Sequence, residues 1–408
     1  MPAISEQLKI VIVGHVDHGK STFVGRLFYD TGSLPTGKYE QLVRIAERRG
    51  VPFEWANLMD SLQSERDQNI TIDTAQSFFR TAKRPYIIID APGHKEFLKN
   101  MMTGSSQAEA ALLLIDISEG IREQTRRHCY LLGFMGIRQV AVVVNKMDTC
   151  GYSRERYEAF EKEIRAFLSL YRVEPTDIVP ISARTGENVA KRGETMTWHG
   201  GPTLLEALDR FRSDGSTDRR LRFPVQDVYR RNGRNVAVGR VETGSLSRGQ
   251  EVTVLPDASR GKVSEIIKFN EKDIDVSRAG ECIGLVVEGA ELKRSQVLTG
   301  AARALVDDTF DAHIFWLDNE PYSVGAPLTW KLATQSAACR IDRVYRRFDP
   351  ATLKEIETDS GAIVNSEIAE VRLRFERPVV LDRFSDIPEM GRFVLEVKGY
   401  PVAGGIVS

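Results

Sequence analysis

Through the first half of the chain, short apolar runs rich in β-branched residues alternate with segments of helical periodicity. Lys9 to Val13, Tyr86 to Asp90, Ala111 to Asp116, Gln139 to Asn145 and Asp177 to Ser182 are predicted strands, each flanked by turn residues. Helical stretches such as Ser21 to Tyr29 and Tyr157 to Leu170 follow them. Strands alternating with helices specify an α/β domain on a mostly parallel sheet. The polar break Asp214-Gly215-Ser216-Thr217-Asp218 reads as a linker. Beyond it, Phe223 to Tyr229, Asn235 to Glu242 and Glu251 to Leu255 are strands separated by turn signals. Near the end, Val371, Leu373 and Phe375 alternate with Arg372, Arg374 and Glu376, the period of a half-buried strand. With few helical patterns after residue 220, two small β-barrels fit better than one large sheet. The expected division is 1–213 for a phosphate-binding α/β domain, 219–300 for a first barrel and 304–408 for a second.

Composition narrows the class. The 408 residues are 42% hydrophobic and 28% charged, as in a folded globular protein. Lys plus Arg number 56 against 57 Asp plus Glu, with 28 of each up to Thr217 and 28 against 29 after it. Such a balance argues against a bulk polyanion clamp, though it leaves room for a local basic stripe. The longest apolar runs, Ala110 to Ile115 and Val140 to Val144, are far short of the roughly 18 residues a membrane helix needs. The start of the chain lacks a secretory pattern, and four scattered cysteines without a C-x-x-C argue against zinc or a disulfide framework. A cytoplasmic location, with buried reduced thiols and no membrane partner, is the expectation.

The first strand runs into Gly14-His15-Val16-Asp17-His18-Gly19-Lys20-Ser21-Thr22, a G-x-x-x-x-G-K-S match between a strand and a helix. Glycines let backbone N–H groups curl around phosphates, and the helix aims its positive end at them. Lys20 is expected at the β- and γ-phosphates, and the Ser21 hydroxyl at Mg²⁺. By contrast Gly244 and Gly249, at the same glycine spacing, precede Gln250-Glu251 and read as a barrel turn. Asp90-Ala91-Pro92-Gly93-His94 closes a later strand. Asp90 can hold the Mg²⁺ shell through water, and Gly93 can give an N–H to the γ-phosphate. Asn145-Lys146-Met147-Asp148 ends the next strand and Ser182-Ala183 the last. An Asp carboxylate at 148 can accept from N1–H and the 2-amino group of guanine, a pair adenine lacks. Asn145 is expected to tie this loop to the phosphate loop, Lys146 to lie over the ring, and the Ala183 N–H to reach O6. Arg126, Arg127 and His128 read as a solvated helix face, and His128, His199 and His313 as surface or satisfied core residues.

Together these motifs resemble the translational class of GTPases that includes elongation factors Tu and 1-alpha, over essentially the whole chain. The resemblance implies GTP and Mg²⁺ as cofactors and hydrolysis of GTP. It also implies that Thr71 closes on Mg²⁺, that His94 orients the attacking water, and that Val16 and Ile70 hold that histidine back. Asn69 stands where the class usually has Gly. Within the class, Asp60-Ser61-Leu62-Gln63-Ser64-Glu65-Arg66 and Gln124-Thr125-Arg126-Arg127-His128 look like sulfate adenylyltransferase subunit 1. That narrower resemblance implies a regulatory GTPase subunit. It would couple GTP hydrolysis to formation of adenylyl sulfate and pyrophosphate from ATP and sulfate on a smaller catalytic partner, with no nucleic acid bound. His15, His18 and Ala91 depart from that subunit's usual Ser, Asp and Thr, and Gly391-Arg392-Phe393 is closer to translation factors. The alternative is a translation factor delivering a charged tRNA or a release factor to the ribosome.

Overall fold

The computed structural model describes residues 7–58, 76–89, 108–171, 173–212, 220–231, 233–268, 273–350, 352, 354–356 and 362–408. They form two compact units divided between Ser213 and Asp214. The first unit holds strands β1 (Leu8–Gly14), β2 (Gln76–Arg80), β3 (Pro85–Ile89), β4 (Ala110–Asp116), β5 (Gln139–Asn145) and β6 (Pro175–Pro180). They make one sheet in the order β2-β3-β1-β4-β5-β6, parallel except for β2 against β3. Every residue of β4 is buried, as a central strand covered on both faces requires. Among the helices, α1 (Lys20–Asp30), α2 (Lys38–Arg49), α3 (Glu123–Phe134), α4 (Arg154–Ser169) and α5 (Leu204–Leu208) belong to this unit. The starts of α4 and α5 are set by capping side chains. Ser153 accepts from the Arg156 N–H at 3.2 Å ahead of α4, and Thr203 and Glu206 cap α5 reciprocally.

The register decides where chemistry can happen. Asp116 lies beside Asn145, so β4 and β5 finish level, and β1 ends at Gly14 beside Leu114, two residues earlier. β1 sits between β3 and β4, and the crevice above such a point, where the strand order reverses, is the usual ligand position in open α/β sheets.

The second unit is built from two closed barrels, giving the α/β-plus-barrels class that the pattern predicts. One contains β7 (Arg222–Arg231), β8 (Arg234–Arg240), β10 (Glu251–Leu255), β11 (Ser259–Ile267), β13 (Cys282–Glu288) and β14 (Val297–Thr299). Short strands β9 (Ser245–Ser247) and β12 (Val276–Arg278) pair beside it. The other contains β15 (Leu305–Trp316), β16 (Leu328–Leu332), β17 (Gln335–Phe348), β18 (Ile368–Leu381), β19 (Arg392–Val397) and β20 (Tyr400–Val407). Along β18, Val371, Leu373 and Phe375 are buried and Arg372, Arg374 and Glu376 exposed, the alternation read above. Leu255 and Val297 of the first barrel pack into the core of the second. Arg222 and Asp382 join the barrels through a bidentate ion pair, Nε to Oδ2 at 2.7 Å and Nη2 to Oδ1 at 2.8 Å. No helix among the described residues is long and apolar enough to cross a membrane. The expectation of uniformly buried thiols holds for Cys129 and Cys339 but not for Cys282, which is exposed at the start of β13.

Candidate nucleotide site

β1 ends at a glycine for a steric reason: a Cβ on Gly14 would stand 2.4 Å from the Leu114 carbonyl oxygen. The chain then makes a 3₁₀ turn at Val16–His18, and Gly19 takes a left-handed φ of 86° before α1 begins at Lys20. A Cβ on Gly19 would meet Asn145 Nδ2 at 2.9 Å, so this glycine answers both a backbone and a packing demand. The first N–H groups of α1 have no acceptor within the helix and face the crevice end of the sheet as anion donors. Ser21 is exposed and Thr22 half-buried at that start.

The base loop clasps the phosphate loop at two consecutive carbonyls. Asn145 Nδ2 donates to the His18 oxygen at 3.0 Å, and Lys146 Nζ donates to the Asp17 oxygen at 2.7 Å. Lys146 reaches that position with a left-handed φ of 62°. Met147 is fully buried beneath the loop. Ser182 donates its hydroxyl to Asp148 Oδ1 at 2.7 Å, which orients the carboxylate and leaves its second oxygen unused by that bond. One expectation changes: the Ala183 N–H is given to Asn145 Oδ1 at 3.0 Å, so it braces the base loop instead of standing free for a base oxygen.

Three residues of this floor went unassigned in the sequence. Asp116 is buried, accepts from Ser118 N–H and Oγ–H at 2.8 and 2.6 Å, and pairs with Lys146 Nζ at 2.8 Å. Glu119 lies 3.6 Å from His18 Nε2, and Gln124 bonds His15 Nδ1. An acid closing an otherwise apolar strand, with Ser118 two residues on, was the available signal for Asp116. His94, the strand-end residues Asp90, Ala91, Pro92 and Gly93, and the switch residues Thr71 and Ile70 lie outside the described residues. Arg127 pairs with Glu123 on the exposed face, but Arg126 stacks over Phe167 at 5.0 Å and His128 is buried, so that face is only partly solvated.

His18 is completely buried. Burial pushes its pKa below the ordinary value of 6.5, against the pull of the Leu114 carbonyl and Glu119. His199 moves the same way, again chiefly through burial, with the Pro202 carbonyl opposing. Below about pH 6.5 the unfolded chain therefore takes up protons that the folded chain refuses, and stability falls as the pH drops. The thermal midpoint of the first unit should be lower at pH 5.5 than at pH 7.5; equal midpoints would refute this.

The pieces suit a guanine nucleotide with a divalent ion. Two glycine positions where a Cβ cannot fit shape the loop, and an oriented carboxylate at Asp148 stands at the far end of the same crevice. Among the described residues no three His, Cys, Asp or Glu side chains converge as a metal cluster. Residues 5–213 match the family model described as the elongation factor Tu GTP binding domain, and 309–408 match the GTP-eEF1A C-terminal domain-like model. Elongation factor 1-alpha of Methanocaldococcus jannaschii is 38% identical over 413 residues, covering 98% of this chain and 96% of its own length. That of Pyrococcus furiosus is 37% identical, covering 100% of this chain and 98% of its own.

The chain belongs to the elongation factor Tu and 1-alpha class of translational GTPases.

The solved structure of sup35 complexed with GDP matches 99% of this chain and 94% of its own, at 25% identity and a TM-score of 0.46. The cofactors of this GTPase are GTP and Mg²⁺, the pair the class binds. The narrower expectation of a sulfate adenylyltransferase regulatory subunit is overturned, and with it the smaller catalytic partner. The relatives matched over 98–100% of this chain that are named above are elongation factor 1-alpha, which fits a translation factor better than a sulfurylase subunit. Of the two stretches that suggested it, 60–66 lies outside the described residues, and in the other Gln124 braces the phosphate loop by bonding His15 Nδ1.

Proposed function

We propose that this chain is a translation factor that carries a charged tRNA to the ribosome while GTP is bound and lets it go after hydrolysis. The relatives named elongation factor 1-alpha support this reading, and one feature of the first barrel carries it further. The β7–β8 hairpin presents Tyr229, 57% exposed, beside exposed Arg230, Arg231 and Arg234. Arg234 pairs with Glu265, whereas Arg230 and Arg231 make no ion pair among the described residues. At the base of the hairpin lies an open hollow of about 580 Å³ lined by Gln226, Arg231, Val238, Lys268 and Cys282. An exposed ring beside unneutralised guanidinium groups is the chemistry that stacks a base and meets phosphates at the end of a single strand. Near-neutral composition conceals this stripe, because acidic residues elsewhere cancel it.

In the GTPase unit, Lys20 meets the β- and γ-phosphates, and the N–H groups of residues 19–22 hold their oxygens. Ser21, with Thr71 and Asp90, serves the ion, which when bound neutralises charge developing on the phosphate oxygens. Asn145 and Lys146 hold the two loops together, Asp148 reads the base, and His94 orients the water. Translation places the protein in the cytoplasm.

The test is retention of charged tRNA on a filter with a non-hydrolysable GTP analogue and with GDP. Tight retention with the analogue and weak retention with GDP is expected. Replacing both Arg230 and Arg231 with Ala should weaken binding about 10-fold at moderate salt and flatten its salt dependence by roughly two phosphate contacts. Equal retention with both nucleotides would defeat the proposal.

A further inference from the structure

Lys146 is held by more than the phosphate loop. Its ammonium stands between the Asp17 carbonyl oxygen at 2.7 Å and Asp116 Oδ2 at 2.8 Å. These contacts pin the stem across Gly19, whose hypothetical Cβ would lie 3.9 Å from Lys146 Cε. Asp116 closes β4, the strand next to β5, and the register sets it directly beside Asn145. It is 2% exposed and fully engaged: one oxygen takes the Ser118 N–H and hydroxyl, and the other takes Lys146. Burial by itself would raise its pKa, but the hydrogen bonds from Lys146 and Ser118 outweigh that and hold it below the ordinary carboxylate range. The anion is thus a fixed counter-charge, while Lys146 remains about one-third exposed.

We infer that Asp116 is a positioning residue for the nucleotide: it fixes Lys146 over the phosphate loop and thereby sets how slowly a guanine nucleotide leaves. This rests on the proposed assignment of the crevice to GTP. Without Asp116, a flexible four-carbon side chain with one remaining carbonyl contact explores other rotamers, and the cover over Gly19 is lost for part of the time. The clasp from Asn145 to His18 is untouched, so the phosphate loop keeps its shape and the loss falls on residence time. A charge-assisted hydrogen bond of this kind acts mainly on dissociation.

The measurement is stopped-flow dissociation of N-methylanthraniloyl-GDP from the full chain. Asp116→Asn, close to the same size, should speed dissociation about 5- to 10-fold. Asp116→Ala should do at least as much, and thermal melting of each variant without nucleotide reports whether it folds. The specific readout is a double-mutant cycle. In a Lys146→Ala background, Asp116→Asn should change the rate less than about 2-fold, because the residue acts through Lys146. An unchanged rate for Asp116→Asn in the wild-type background, or full acceleration in the Lys146→Ala background, overturns the inference alone. A wild-type chain that retains no labelled GDP overturns the assignment of the site and this inference with it.

Discussion

Arg222→Ala is expected to lower the unfolding free energy of the barrel unit by about 3–5 kcal/mol, the cost of stranding one member of a buried pair. Arg222 is 0% and Asp382 4% exposed, and all the contacts are direct. Besides its two bonds to Asp382, Arg222 gives Nη1 to the carbonyls of Leu221 at 2.8 Å and Ala302 at 2.9 Å. Removing the arginine leaves a carboxylate and two carbonyls in a dry joint where water cannot replace it. For a unit of this size the midpoint of its melting transition should fall by roughly 6–20 °C. Asp382→Ala should be similarly damaging, because an arginine cannot shed its charge. Arg222→Met combined with Asp382→Leu should recover most of the loss, since no buried charge remains. Denaturant unfolding of the three variants checks this. A loss below about 1 kcal/mol for Arg222→Ala would mean that the joint admits water. The pair also bears on function, because β7 starts at Arg222 and carries the basic hairpin at its other end.

Much of the framework was legible because burial and spacing agreed. The strand Gln139–Asn145 and the alternation at Val371, Leu373 and Phe375 follow directly from period and side chain. β2 was illegible for a physical reason: Ser77 is buried and Phe78 is 57% exposed, the reverse of the usual pattern for a short edge strand. Arg222 was illegible because a charged residue at a strand start reads as surface, and its partner lies 160 residues away. In the nucleotide site, the loop motifs announce themselves because backbone geometry forces glycine and the chemistry forces Lys, Asn and Asp. The supporting side chains, Asp116, Glu119 and Gln124, are chosen only by what they touch. Here too the sulfurylase expectation went astray. Of Gln124 to His128, Gln124 braces the phosphate loop, Thr125 and His128 are buried and Arg126 stacks on Phe167, so much of that stretch is set by packing within the GTPase unit.

Asp148→Asn is expected to weaken GTP by about 100-fold or more and to create binding of xanthosine triphosphate. A carboxylate accepting two N–H bonds from guanine, each charge-assisted, contributes roughly 1.5–3 kcal/mol per bond. The amide keeps one acceptor and replaces the other with an NH₂ that opposes the guanine 2-amino group, so a favourable contact becomes donor against donor. Xanthine has a carbonyl at that position, and the same NH₂ now donates to it. The structure makes the outcome depend on a single residue, because Ser182 already fixes the orientation of the Asp148 side chain at 2.7 Å. The clasp through Asn145 and the Ala183 N–H does not involve Asp148 and should survive the change. Phosphate binding therefore stays intact, and the variant should hydrolyse xanthosine triphosphate at a rate near that of the wild type with GTP. Competition of labelled GDP with unlabelled GTP and xanthosine triphosphate measures both effects. Retained preference for GTP in Asp148→Asn would remove the base-reading role from this loop. Loss of binding to both nucleotides would show that the carboxylate supports the loop instead of reading the base.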